Sequence, residues 1–179
     1  GTTRRPQTID ISKELDRYGA QYNAYTGKDL TGYWVKIAGE HLPVAVDLLN
    51  DMIFHSMFNA EEMEREKNVI VEEIKMYEEN PIMHIEDLLE EAMFDGHVLG
   101  RNIEGTVESV KGMKRDDVVA YHGAHYRTEN MIIVVSGRLP EHLMGLLEGT
   151  FGTVAPSGVA RSTFDVIGDQ ASVGRIRYQ

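Results

Sequence analysis

At 179 residues, with 42% apolar and 26% charged side chains, the chain has the size and balance of one folded domain with room for part of another. Its 18 basic and 29 acidic residues leave a net charge of -11, which argues against a nucleic-acid or anionic-membrane surface as the main partner. The absence of cysteine excludes disulfides, thiolate nucleophiles and cysteine-based zinc sites.

The first fifteen residues, GTTRRPQTIDISKEL, lack the apolar core of a signal peptide, so none is expected there. Thr8 to Tyr18 reads as a helix with Ile9, Leu15 and Tyr18 inward, stopped by Gly19. The stretch AQYNAYTGKDLTGYWVKIAG reads as a β-hairpin around Gly27, Lys28 and Asp29. Leu42 to Met57 is helical with Pro43 in its first turn. Asn59 is placed to cap a long helix from Ala60 to about Glu79, with Glu62 positioned for a capping box. Pro81 ends that helix, and IMHIEDLLEEAMF begins another that stops near Asp95-Gly96. A looser segment, a short helix in KRDDVVAYHGAHY, an apolar strand NMIIVVSG and a helix in LPEHLMGLLEGTFG complete the order. The apolar runs, such as Met131 to Val135, are too short to span a membrane. Residues 1–152 are expected to form the main body, and 153–179 a linker with the start of further strands. The class is α+β, an antiparallel-rich sheet with helices packed on one face. A soluble, cytoplasmic protein is the expectation, with nothing that fixes the compartment.

Two residues in the long helix stand out. Met63, Glu66, Ile70, Glu73, Ile74 and Tyr77 recur at three- and four-residue steps, the spacing of a core-facing stripe. Carboxylates on such a stripe need a partner, because burying an unpaired charge is costly. Two accounts are open: Glu66 and Glu73 sit at the stripe's edge and snorkel or pair with a basic residue, or Glu73 ligates a cation and Glu66 orients the site behind it. The histidines do not settle the matter. His122 and His125 form H-x-x-H in a helix, a pattern that surface histidines also give, and neither H-E-x-x-H nor H-x-x-E-H occurs. The hairpin segment Asn23 to Thr26 is either a stable ribbon or an edge able to pair with an extended peptide.

Taken together, DISKELDRYGAQYNAYTGKDLTGYWVKI, AEEMEREKNVIVEEIKMYEENP, the HVLGRNIEG region and LLEGTFG occur in the order seen in inverzincin metallopeptidases. The chain through Gly152 resembles that family of pitrilysin, insulin-degrading and mitochondrial-processing-peptidase-like proteins. Its most specific marks are N-A-Y-T, two glutamates one heptad apart, and L-G-R-x-x-x-G. The resemblance implies a zinc-dependent endopeptidase that hydrolyses peptide bonds. There H-x-x-E-H supplies two histidine ligands and a glutamate general base, and a distal glutamate completes the site. Glu73 matches the distal ligand and Glu66 its supporting acid, while Asn23, Ala24, Tyr25 and Thr26 match the edge strand that receives substrate. Val98 and Thr128 stand where prolines are usual, which are mild departures.

The family's H-x-x-E-H precedes a Gly-Thr resembling Gly1-Thr2, so the chain is expected to be a truncated metallopeptidase domain that starts just after the motif. No catalytic residue is then expected in it. Zinc belongs to the parent enzyme and is not expected to bind this chain alone. Peptide substrates, a second similar domain or a partner subunit, and self-association through surface exposed by truncation are the expected partners. Nucleic acid and membrane are not. A non-catalytic subunit that binds peptides or stabilises a catalytic partner is the alternative, and a small peptide-binding module a more distant one.

Overall fold

The computed structural model describes residues 1–156, which form seven α-helices and one β-hairpin. Helix α1 spans Thr8–Arg17, strand β1 Gln21–Thr26 and strand β2 Thr31–Lys36. They are followed by α2 (Leu42–Phe54), α3 (Ala60–Glu79), α4 (Pro81–Met93), α5 (Val107–Gly112), α6 (Arg115–His125) and α7 (Leu143–Thr150). The architecture is α+β, mostly helical with a two-stranded antiparallel sheet. The linker and strands expected after residue 153 fall, from 157 onward, outside the described residues.

Helix α1 begins at a capping box between Gln7 and Asp10, and its row Ile11, Leu15 and Tyr18 turns inward, with Leu15 fully buried. Ile9 does not join that row. It is 49% exposed, because at about 100° per residue it lies roughly opposite Leu15's side of the helix. Gly19, at φ +60°, ends the helix and turns the chain into β1.

The hairpin runs in register from Gln21 opposite Lys36 to Thr26 opposite Thr31, closed by a Gly27 amide donating to the Leu30 carbonyl at 2.7 Å. On β2 the period of two is clear: Tyr33 and Val35 are half-buried, Trp34 and Lys36 exposed. Strand β1 is exposed along its whole length.

Helix α2 carries Pro43 in its first turn and buries Ala45, Val46 and Leu48. Residues 1–5 fold back along it: Thr2 bridges to Ser56, and Arg5 is buried among carboxylates of α1 and α2. Helix α3 starts where the Asn59 side chain accepts the amides of Glu61 and Glu62 at 2.9 and 3.2 Å. The expected capping box is incomplete, since the Glu62 carboxylate pairs with Arg65 at 2.7 Å instead. Val71 and Ile74 pack on Val110 of α5, with Ile70 and Val107 alongside. Asn80 ends α3 and, accepting from the Ile82 amide, caps α4, with Pro81 at the first helical position. Helix α4 leaves Ile82, Ile85, Leu89 and Met93 exposed in one line.

Helix α6 is tied to the α2–α3 connection by Arg115, which donates to the carbonyls of Phe58 and Met57 at 2.6 and 3.1 Å. The expected strand at 130–137 is not formed. Asn130 closes a short 3-10 turn and residues 131–136 have no ladder, with Ile132 and Val134 79% and 82% exposed. An apolar extended run becomes a strand only when a neighbour takes its backbone groups, and no described strand pairs with it. The chain closes where Phe151 packs edge-on against Phe54, ring centroids 6.0 Å apart. No described helix is long and apolar enough to cross a membrane.

Candidate metal-ligand flank and peptide edge

The two glutamates of α3 lie outside the packed row. Glu66 and Glu73 are both exposed, whereas Val71 and Ile74 are buried and Met63, Lys67, Ile70 and Tyr77 half-buried. The stripe is therefore centred between Ile70 and Val71, and its edge rather than its middle carries the acids. This corrects the expectation of core-facing carboxylates: neither needs a buried counter-charge.

Their surroundings remain unusual. Glu62, Glu64 and Glu72 each pair with a basic residue three positions on, at 2.6–2.7 Å. Around Glu66 and Glu73 the positions three and four away hold Met63, Val69, Ile70, Met76 and Tyr77, with Glu62 the sole charged one. Neither carboxylate has a hydrogen bond or ion pair among the described residues. Val69 and Met76 beside them are 49% and 53% exposed, so the flank is an apolar strip bearing two free acids. That local signal, acids without basic neighbours at helical spacing, was present in the sequence.

Seven residues at 1.5 Å each separate the two by about 10 Å along the axis, too far for both to bind one ion at metal–oxygen distance. If one ligates, the other acts from behind. The described residues contain no group of three or more His, Cys, Asp or Glu side chains able to hold a metal. A catalytic zinc takes three protein ligands, so these residues by themselves do not fit one. The H-x-x-H histidines are engaged otherwise: His122 Nε2 bonds the Ile53 carbonyl at 2.7 Å and stacks on Tyr126, and His125 lies against Tyr121. His97 accepts the Leu99 amide.

Asn23, Ala24, Tyr25 and Thr26 form most of β1, all exposed, and β1 pairs among the described residues with β2 alone. Tyr25 faces Gly32 across the ladder, and a Cβ on Gly32 would fall 2.4 Å from its ring, so the tyrosine lies over the partner strand. Besides the packing of β2 on α2, two side-chain contacts moor the hairpin. Tyr33 and Tyr126 share a hydroxyl hydrogen bond at 3.1 Å, and burial followed by this bond raises the Tyr33 phenol well above its ordinary pKa. At the turn, Lys28 Nζ meets Glu90 at 2.7 Å and the Arg101 carbonyl at 2.6 Å. The Lys28 mooring gave no sequence signal, because its partners lie more than sixty residues away.

The model of the insulinase family, peptidase family M16, matches residues 1–107. The chain belongs to peptidase family M16. Among its relatives, the Bacillus subtilis protein YmxG, named an uncharacterized zinc protease, is 38% identical over 151 residues, 84% of this chain and 37% of YmxG. The human mitochondrial-processing peptidase subunit beta is 34% identical over 153 residues, 85% of this chain and 31% of that subunit. The chain thus spans about a third of the length of the curated relatives it matches. The fold recurs in a protease from Helicobacter pylori, at a TM-score of 0.81 and 20% identity over 86% of this chain and 38% of that one. It recurs also in pitrilysin, at 0.79 and 23% over 93% and 18%. Relatives of this M16 chain are named zinc proteases.

Proposed function

We propose that this M16 chain is part of a zinc-dependent endopeptidase domain, to which it contributes one carboxylate ligand and the edge that receives the substrate peptide. Glu73 is the ligand and Glu66 the acid that supports it. Asn23, Ala24, Tyr25 and Thr26 are the substrate edge. The observation that carries this reading is the pair of free carboxylates on an exposed apolar strip of α3, in a chain of this family. On such a strip a cation at Glu73 would offset its charge and the packing of further protein would cover Val69 and Met76.

Zinc, when bound in such enzymes, activates a water for attack on the peptide carbonyl. The histidine ligands and general base lie outside these 179 residues, which contain no H-x-x-E-H. On this reading the chain by itself hydrolyses no peptide bond and holds no zinc of useful affinity. Residues 1–152 belong to the peptidase domain and 153–179 lead out of it. Peptides are the substrates, and a second similar domain, a partner subunit or a second copy of the chain covers the apolar surface.

The second reading is a non-catalytic peptidase-like subunit. The lack of three clustered metal-binding side chains among the described residues is compatible with it, as it is with the first reading. The free Glu66–Glu73 pair favours the peptidase. The coding sequence flanking these residues decides: H-x-x-E-H in frame supports the peptidase, and a non-ligating replacement at those positions sinks it.

A further inference from the structure

The L-G-R-x-x-x-G segment has no part in the function proposed so far, yet it is built around a contact with the hairpin. Helix α4 ends at Met93 with Phe94 as its C-cap, and the short turn Val98–Gly100 packs back on that end so closely that a Cβ on Gly100 would lie 2.6 Å from the Phe94 carbonyl oxygen. Glycine is needed there for the approach. Gly105, at φ +79°, reverses the loop, and a Cβ there would meet the Ser109 hydroxyl at 2.7 Å. Between these glycines the Asn102 side chain accepts the Glu104 amide at 3.3 Å, fixing the loop's own path. The loop thereby holds the Arg101 carbonyl towards the hairpin turn, where Lys28 Nζ donates to it at 2.6 Å and pairs with Glu90 of α4 at 2.7 Å. The Lys28 side chain is only 22% exposed.

We infer that Lys28 is a positioning residue for the peptide edge: it locks the turn between β1 and β2 onto α4 and the 100–105 loop, and so sets the orientation in which β1 meets an extended peptide. The inference deepens the reading of β1 as a substrate edge and rests on it. The physical need is plain. Strand β1 is exposed throughout, and a two-stranded hairpin is marginal unless something packs on it. Helix α2 and the Tyr33–Tyr126 bond hold the β2 strand, whereas the turn itself is held among the described residues by the Lys28 ammonium. A charged donor with two oxygen acceptors is stronger than a neutral hydrogen bond, and preorganising an edge lowers the ordering cost of pairing with it.

The test uses the 179-residue chain and a fluorescently labelled extended peptide of alternating valine and threonine with lysine ends. Affinity is read by anisotropy, and amide exchange is followed in residues 21–36 and in α2. Lys28→Met is expected to weaken peptide binding about tenfold. It should also speed exchange in 21–26 while leaving α2 protection unchanged. Lys28→Arg restores both, and Glu90→Gln gives an intermediate loss. Unchanged peptide affinity in Lys28→Met, with the wild-type chain binding and protecting β1, overturns the positioning role and leaves the edge intact. A wild-type chain whose β1 amides gain no protection from the peptide overturns the edge reading, and the positioning role with it. A Lys28→Met loss accompanied by equal loss of α2 protection means general unfolding and also overturns the proposal.

Discussion

The guanidinium of Arg5 donates to the fully buried Asp51 carboxylate at 2.7 Å while the same side chain forks onto Glu14 of α1 and reaches Asp47 at 3.0 Å. Thr2 gives Asp51 a second hydrogen bond at 2.6 Å, and Arg4 adds an ion pair to Asp47. One arginine thus joins the N-terminal segment, α1 and α2. Removing it would leave buried Asp51 with the longer Arg4 ion pair at 3.3 Å and the Thr2 hydrogen bond, a change that costs up to about 3–5 kcal/mol. Arg5→Met is expected to lower the unfolding free energy measured in urea by that order, and Arg5→Lys to recover part of it, since an ammonium cannot fork onto Glu14. A midpoint within experimental error of wild type for Arg5→Met would show that the network is not a fastening.

The same cluster sets an acid limit. Burial pushes the Asp47 and Asp51 carboxyls up, but the hydrogen bonds outweigh it: Arg4 and Arg5 hold Asp47 below its usual range, and Thr2, Arg5 and Arg4 do so for Asp51. A carboxylate depressed in the folded state contributes stability above its unfolded pKa and loses it as pH falls through the folded one. Unfolding free energy should therefore be flat near neutrality and drop on acidification from about pH 5 downward. Asp47 is partly exposed, so its share is screened. Urea titrations across that range check the slope, and Asp51→Asn should reduce it.

Asn59 caps α3 with two amide contacts on the same side-chain oxygen. Asn59→Ala is expected to cost about 1 kcal/mol, and Asn59→Asp to be close to neutral. Chemical denaturation measures both. An alanine variant as stable as wild type would mean that the helix start is held by tertiary contacts alone.

The apolar line Ile82, Ile85, Leu89 and Met93 on α4, with Ile132 and Val134, exposes more large side chains than an isolated monomer comfortably carries. Light scattering on the 179-residue chain is expected to show concentration-dependent association, diminished by Ile85→Glu with Leu89→Glu. A clean monomer at high concentration would contradict this.

These features differ in how far the sequence announces them. The hairpin turn, Asn59, Pro43 and Pro81 act through neighbours a few residues away, so their signals are local and the elements follow them closely. The Arg5–Asp51 contact joins residues 46 apart and the Lys28–Arg101 contact 73 apart, and no local pattern encodes either. The run Met131–Val135 has strand composition, but a strand also needs a neighbour, which composition cannot supply. On α3 the heptad spacing of Glu66 and Glu73 was legible and their side of the helix was not: a row drawn through Ile70 and Ile74 takes in the acids, whereas burial of Val71 turns them out to the flank.

Zinc K-edge absorption on the zinc-loaded protein that carries these residues, as wild type and as Glu73→Gln and Glu66→Gln, reads the proposed carboxylate ligation itself. Glu73→Gln is expected to lose the carboxylate oxygen from the zinc coordination sphere and, with it, most of the bound metal. Glu66→Gln should keep the coordination set and weaken affinity about 10–100-fold, as removal of a supporting partner does. A Glu73→Gln protein with wild-type zinc content and coordination would contradict that ligation.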